Sequence, residues 1–110
     1  MNNENYEALE RLFRSTLDLY ARFGCVPTVD NTAMVFTEET RELLEATHGD
    51  DLQHIAEEAG DVLVTTLGIC IAHGLTYEQV TSAIERIADK NDAKTWETHH
   101  LNDAGKIARR

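Results

Sequence analysis

The sequence predicts an all-α protein, a four-helix bundle in a single domain that spans residues 1–110. Apolar residues recur at steps of three and four along most of the chain, which is the spacing of one helix face. One proline and six glycines leave long stretches free to form helices. No stretch alternates apolar and polar residues as a strand does, so a helical bundle is the simplest architecture.

The first helix is predicted over residues 4–23, and Gly24 supplies its C-terminal stop. One face carries aromatic and aliphatic residues at helical spacing: Tyr6, Leu9, Phe13, Leu17, Tyr20 and Phe23. Residues 25–36 contain the only proline and the pair Asp30-Asn31, so we predict a loop there.

The second helix is predicted to begin after Thr37, a good N-cap, and to run to residue 48. Its core-facing residues are predicted to be Phe36, Leu43, Leu44 and Thr47. A short turn over residues 48–51 follows, which makes the second and third helices antiparallel neighbours. We predict the third helix over residues 52–73, capped by aspartates of that turn.

The third helix is apolar on nearly every side between residues 59 and 72. A four-helix domain of this size cannot easily surround such a helix, so we predict a homodimer or homotetramer that assembles through helix three. The fourth helix is predicted over residues 77–91, where Thr76 to Gln79 form a capping-box pattern. No structure is predicted for the polar tail, residues 97–110.

The composition excludes several classes of protein. With 20 acidic and 10 basic residues the net charge is -10, which argues against binding to a nucleic acid polymer or an anionic membrane. Two separated cysteines indicate neither a disulfide framework nor a zinc knuckle. No export or insertion signal is visible, so we expect a cytoplasmic protein.

Two acidic stripes lie on the predicted second and third helices. Glu39 and Glu42 are three residues apart, as are Glu58 and Asp61, so each pair shares a helix face. In an antiparallel hairpin centred on residue 50, Glu42 faces Glu58 and Glu39 faces Asp61. Helix axes packed about 8–10 Å apart allow facing carboxylates to reach one ion.

Four carboxylates this close repel one another and partly protonate unless a cation compensates their charge. Oxygen ligands without cysteine suit Mg²⁺, with Mn²⁺ as a possible substitute. The competing interpretation is a solvated helix face, which is typical of acids at this spacing. The matching register and the position of Asp61, the only charge between residues 59 and 72, favour the metal site.

The segment EETRE, followed after fifteen residues by EAGD, resembles the paired acidic motif of MazG-type nucleotide pyrophosphohydrolases. The resemblance covers residues 4–94 and includes KNDAK at the end of helix four. It implies a MazG-like all-α enzyme that cleaves a nucleoside triphosphate, (d)NTP, between its α and β phosphates. The products would be the monophosphate and pyrophosphate, and the role would be nucleotide-pool housekeeping.

The resemblance also implies the site residues. Four carboxylates would bind Mg²⁺: Glu39, Glu42, Glu58 and Asp61. Glu38 would be the general base that orients the attacking water. Three residues match the substrate-binding positions: Lys90, Asn91 and Lys94. Lys94 stands where arginine is usual in this family, so the bidentate phosphate contact of arginine is not available.

Two other functions fit parts of the sequence. A di-iron carboxylate protein is one of them, because Glu-x-x-His spacings occur twice, at Glu45 with His48 and at Glu97 with His100. The placement argues against it, since the first pair adjoins a turn and the second lies in the tail. A non-catalytic helical interaction module would use the acids for solubility. Trp96 either stacks on a nucleobase or packs against the bundle, and the pattern selects no particular base or sugar.

Overall fold

A computed structural model describes the backbone of residues 4–110 and the side chains of residues 7–110. It contains four helices and two short strands: α1 (Glu4–Arg22), α2 (Val29–Ala46), α3 (Leu52–Ala72), α4 (Tyr77–Asp92), β1 (His99–Leu101) and β2 (Ile107–Arg109). The chain divides into two compact units, one ending at Tyr77 and the other running from Glu78 to Arg110. None of the described helices combines the length and the apolar character that crossing a bilayer requires.

The four predicted helices are all present, and three of them have bounds within one residue of the prediction. Gly24 and Gly74 follow α1 and α3 with φ angles of 61° and 79°. This left-handed backbone ends a helix and costs glycine nothing. At the start of α3, the Asp51 carboxylate accepts a hydrogen bond of 3.2 Å from the backbone N–H of His54, so the predicted aspartate cap is confirmed.

The predicted start of the second helix was wrong, because α2 begins at Val29 inside the segment expected to be a loop. Thr28 is the N-cap: its backbone is extended, and its hydroxyl accepts a hydrogen bond of 3.1 Å from the N–H of Asn31. Asp30 lies in the first turn, where the helix dipole favours negative charge. Thr37 lies within the helix and donates its hydroxyl to a backbone carbonyl at 3.0 Å.

The tail is ordered, so the expectation of a chain without strands was also wrong. β1 and β2 pair antiparallel, with His100 opposite Ala108. In the turn between them, the Asn102 side chain accepts hydrogen bonds from the backbone N–H groups of Ala104 and Lys106, and Gly105 adopts a φ of 82°. Strands of three residues are too short for an alternating pattern to be recognised in the sequence.

The first unit is organised around α3, against which both α2 and α1 pack. Phe13 and Leu67 are its buried apolar residues within the part of the chain described, and the rings of Phe13 and Tyr77 lie 5.6 Å apart. The unit also buries three threonines whose hydroxyls donate to carbonyls of their own helices: Thr16, Thr32 and Thr65. These buried hydroxyls are therefore satisfied without help from another element.

Several residues that the spacing assigned to the core are exposed. Phe23 on α1 is 77% exposed, Leu44 on α2 is 61% exposed, and Thr47 is also exposed. Leu63 on α3 is 54% exposed, so α3 is only partly covered by its neighbours in the first unit. The side chain of Tyr6 lies outside the described residues. Spacing identifies a helix face, whereas coverage of that face depends on a neighbour that only the three-dimensional packing supplies.

Candidate metal centre

The hairpin of α2 and α3 brings acidic side chains from both helices together. Glu39 on α2 and Glu58 and Asp61 on α3 each offer a carboxylate oxygen, and these atoms lie within 4.8 Å of one another. Glu39 and Glu58 are half-buried, whereas Asp61 is exposed. The antiparallel register read from the sequence thus produces a compact group of carboxylates.

Glu42 adjoins the same group, because its side chain lies close enough to that of Glu39, one helical turn earlier, to raise the pKa of Glu39. The pKa of Glu39 is raised above the ordinary carboxyl value, first by burial and then by the charges of its neighbours: Glu42, Asp61 and Glu58. Burial penalises the charged form, and adjacent negative charges penalise it further. All four carboxylates predicted as ligands are therefore close enough to influence one ionisation.

Two oxygens in this group are buried without a hydrogen-bond partner in the described part of the chain: Oε2 of Glu39 and Oε2 of Glu58. The other carboxylate oxygen of Glu58 lies 3.9 Å from Nδ1 of His54. A buried charged oxygen without a partner is costly, and a cation between the carboxylates would satisfy both atoms. The residues therefore fit a cation, and a set of carboxylate oxygens is the type of site that Mg²⁺ or Mn²⁺ occupies.

The carboxylate group stands between two cavities. Glu39 and Asp61 form part of the wall of a cavity of about 290 Å³, to which α1 and the segment before α2 also contribute. Glu42 and Glu58 line a second cavity of about 360 Å³ near the turn between the helices. Each facing pair of the predicted register therefore lines a cavity of its own.

A close approach between α1 and α3 forms one side of the first cavity. The hydroxyl of Tyr20 lies only 2.5 Å from the place that a Cβ on Gly68 would occupy. Glycine at position 68 therefore lets Tyr20 lie against α3 and form part of the cavity wall. Burial, and secondarily Cys25, raises the pKa of Tyr20, which keeps its hydroxyl protonated and able to donate a hydrogen bond.

The remaining predicted site residues lie outside the carboxylate group. Glu38 is exposed on α2 beside Glu39 and is not one of the three clustered carboxylates. Lys90, Asn91 and Lys94 are exposed in the second unit, where Nζ of Lys94 donates a hydrogen bond of 3.1 Å to the side chain of Asn91.

The Glu-x-x-His pairs do not add to this group of carboxylates. Glu45 is held by Arg41, with 3.0 Å between guanidinium and carboxylate, and His48 is exposed beyond the end of α2. Glu97 and His100 belong to the second unit. The arrangement in the first unit is therefore one of carboxylates with His54 beside them.

Sequence reasoning missed several residues around the carboxylates: Tyr20, Asn31, Thr32, Thr65 and His54. Two of them lie in the first turn of α2, which had been interpreted as a loop. A usable signal was present, since Thr28 is a favoured N-cap residue and Asp30 places an acid in the first turn, as is typical of a helix start. No comparable sequence pattern predicts that Tyr20 packs against α3 at Gly68.

Comparison with known proteins gives one match. Residues 28–96 match the family model of the MazG nucleotide pyrophosphohydrolase domain. This range includes α2, α3 and α4 and ends at Trp96, so it covers more than half of the chain and every site residue predicted from the sequence. No curated protein and no solved structure matches the chain significantly.

Proposed function

The chain belongs to the MazG nucleotide pyrophosphohydrolase family, and from this membership we propose a Mg²⁺-dependent enzyme that hydrolyses a nucleoside triphosphate to the monophosphate and pyrophosphate. We propose that it acts in the cytoplasm, in nucleotide-pool housekeeping. The observation that carries the proposal is the meeting of Glu39, Glu58 and Asp61 within 4.8 Å, with buried oxygens that have no hydrogen-bond partner in the described residues.

In this proposal four residues hold the ion: Glu39, Glu42, Glu58 and Asp61. A bound Mg²⁺ would neutralise charge on the triphosphate and lower the pKa of a water molecule. The antiparallel pairing of α2 with α3 presents the carboxylate oxygens of Glu39, Glu58 and Asp61 together. The exposure of Asp61 supports access for a phosphate from solvent, because the other two clustered residues are half-buried.

Glu38 is proposed as the general base. In the reaction the water oxygen forms a bond to phosphorus, the bond between the α and β phosphates breaks, and pyrophosphate leaves. The proton of the water passes to the Glu38 carboxylate. Glu38 directly precedes Glu39 on α2, and its side chain is exposed to solvent, from which the attacking water comes. Loss of such a base lowers a rate about 10²- to 10⁴-fold, so Glu38→Gln is expected to reduce kcat within that range.

The substrate is proposed to place its nucleoside in the cavity of about 290 Å³ beside Glu39 and Asp61. Its walls combine apolar side chains with the Tyr20 hydroxyl and the Asn31 amide, a mixture that suits a ring with a few polar atoms. Lys90, Asn91 and Lys94 are proposed to contact outlying phosphates. Replacement of either lysine by glutamine is expected to raise KM more than it changes kcat.

A homodimer or homotetramer through α3 is also proposed. The support is the partial exposure of apolar residues on α3, including Leu63, together with the small number of buried apolar residues among those described: Phe13, Leu67 and Val80. Sedimentation of the purified protein tests it. A monomer at micromolar concentration would contradict the proposed assembly and would leave the carboxylate geometry untouched.

The deciding experiment measures pyrophosphate release from the common ribonucleoside and deoxyribonucleoside triphosphates with Mg²⁺, Mn²⁺ or Fe²⁺. We expect release from at least one of them with Mg²⁺, and its loss in Glu58→Gln. Glu57→Gln is the matched control, because Glu57 is exposed on the same helix and accepts a hydrogen bond from Gln53. Equal release by wild type and Glu58→Gln, or no release from any nucleotide, would contradict the proposal.

A further inference from the structure

One face of α1 carries a line of charged and polar side chains outside the candidate metal centre. A groove of about 570 Å³ follows this face, and every residue that lines it belongs to α1. Steps of three and four residues keep its members on one side of the helix. We call this surface the α1 stripe, and its residues are Glu7, Arg11, Arg14, Ser15, Asp18 and Arg22.

The α1 stripe lies opposite the buried face of the same helix. Its side chains are all exposed, whereas Phe13 and Thr16 on the other face are buried in the first unit. A second helix can therefore pack along the stripe without opening the core of that unit. The stripe also precedes residues 28–96, so it lies outside the part of the chain that matches the family.

The order of charges along the α1 stripe is complementary to its own reverse. The charges at residues 7, 11, 18 and 22 are negative, positive, negative and positive, and the centre of the stripe lies between residues 14 and 15. When two copies of α1 pack antiparallel about this centre, positions equally far from it face each other. Glu7 then faces Arg22 of the partner subunit, and Arg11 faces Asp18 of the partner subunit. Two-fold symmetry repeats each pair, so every directly facing pair of charges is attractive.

The charges of the α1 stripe are available for contacts with another chain. Within the described residues, the structure gives Arg14 an ion pair with Glu10 of the same helix and gives none to the other charged residues of the stripe. Helix axes packed about 8–10 Å apart are within the reach of facing arginine and carboxylate side chains. Leu17 and Leu19 border the stripe on its two sides and are 41% and 40% exposed, so they add apolar contact area.

We propose that the α1 stripe binds the α1 stripe of a second copy of this chain, in an antiparallel contact with two-fold symmetry. A second copy is the partner that this order of charges selects, because a parallel pairing would set like charges against each other. Exposed ion pairs are individually weak and are screened by salt, so the contact is expected to be salt-sensitive. It is separate from the assembly proposed through α3, and a protein that uses both contacts would be a tetramer with two kinds of two-fold interface.

Charge reversal tests this pairing in the full-length protein. Arg11→Glu sets a carboxylate against Asp18 of the partner subunit, and Asp18→Arg sets a guanidinium against Arg11 of the partner subunit. Each variant is expected to raise the Kd of the salt-sensitive association step at least about tenfold at low salt, because attraction becomes repulsion at two symmetric positions. Sedimentation equilibrium measures this Kd.

Mixing the two variants separates a pairing of charges from a general loss of structure. In an equimolar mixture each variant presents the charge that the other one needs, so the mixture should associate with the wild-type Kd. A single chain that carries both substitutions should also recover the wild-type Kd, because the facing pair is then exchanged in sign and remains attractive. Circular dichroism should show the wild-type helix content in each variant, since both side chains are exposed.

Arg86→Glu is the matched control. Arg86 is an exposed arginine on α4 in the second unit, and this variant changes the net charge by the same amount as Arg11→Glu. It should associate as the wild type does. Raising the salt from about 0.01 M to about 1 M shortens the Debye length from about 30 Å to about 3 Å, which should weaken the contact between stripes in the wild type.

Three results would overturn the inference. These are a wild type without a salt-sensitive association step, an Arg11→Glu variant that associates as the wild type does, and a mixture of the two variants that associates no better than either alone. An association that survives charge reversal would be assigned to α3. Pyrophosphate release is a separate question, because no residue of the stripe belongs to the clustered carboxylates.

Discussion

Removing the charge of Glu39 should stabilise the metal-free protein. Its carboxylate oxygen lies within 4.8 Å of those of Glu58 and Asp61, and Oε2 is buried without a hydrogen-bond partner among the described residues. Glu39→Gln keeps the shape of the side chain and replaces the charge by an amide that can donate a hydrogen bond to a neighbouring carboxylate. Repulsion is therefore replaced by attraction at the same site.

The magnitude follows from the distance. At 4.8 Å, the upper limit of the oxygen–oxygen distances in the group, two unit charges repel by about 0.9 kcal/mol at the dielectric constant of water and by about 3.5 kcal/mol at a value of about 20. Asp61 is exposed and Glu39 is half-buried, so solvent screens both pairs and the lower end applies. Two pairs give about 1–2 kcal/mol, which corresponds to a rise in Tm of about 4–8 °C for a domain of this size.

Saturating Mg²⁺ should make the wild type more stable than Glu39→Gln, which is the reverse of their order in EDTA. A ligand that binds only the folded state at 100 times its Kd stabilises that state by about 2.7 kcal/mol. The wild type should gain about this amount in saturating Mg²⁺, whereas Glu39→Gln lacks one proposed ligand and should gain little. Thermal melts followed by circular dichroism, in EDTA and in Mg²⁺, measure both effects, with Glu57→Gln as a control that should behave as wild type.

The reasoning fails if Glu39→Gln melts below the wild type in EDTA, because the carboxylate would then be a stabilising group. It also fails if Mg²⁺ raises the Tm of the variant as much as that of the wild type. In that case the ion would bind without Glu39.

Three further outcomes are expected. Thr28→Ala should lower the unfolding free energy measured in urea by about 1 kcal/mol, because it removes the N-cap of α2. Thr37→Ala, within the helix, should cost less than half as much, and equal losses would contradict the helix start at Val29. Gly68→Ala should destabilise the protein by about 1–3 kcal/mol, because the new methyl group would meet the Tyr20 hydroxyl. Adding Tyr20→Phe to Gly68→Ala should recover most of that loss. A double variant that is no more stable than Gly68→Ala alone would contradict the contact between Tyr20 and position 68. In EDTA, unfolding free energy should fall as pH rises from the ordinary carboxyl value of 4.5 through the raised pKa of Glu39, and the fall should be weaker in Glu39→Gln.

The grouping of the acidic pairs is a feature of the site that the sequence alone predicts. Spacing of three places Glu39 with Glu42 and Glu58 with Asp61 on common helix faces, and the short turn near residue 50 makes the helices antiparallel neighbours. Both facts are local, because they depend on helical repeat and turn length alone. The structure accordingly brings these side chains together. Their role as ligands is still a prediction.

The start of α2 was open to misinterpretation because two threonines offered similar signals. Thr28 and Thr37 are each followed closely by acids. A helix that begins at Val29 buries Thr32 and places Asn31 and Thr32 in the wall of the cavity beside Glu39 and Asp61. A helix that begins after Thr37 would lack the hydrogen bond of 3.0 Å from the N–H of Thr32 to the carbonyl of Thr28. The choice therefore depends on packing against α1 and α3, which periodicity does not describe.

By itself the sequence determined the number of helices, the ends at Gly24 and Gly74, and the register of the acidic stripes, because helical repeat, positive-φ glycines and turn length act over a few residues. Tertiary structure decided the start of α2, the cavity that Tyr20 forms where Gly68 lacks a side chain, and the hairpin that exposes Trp96 beside Lys94. These features arise from contacts between residues far apart in the chain, and the strength of such contacts depends on shape and burial that no local pattern records.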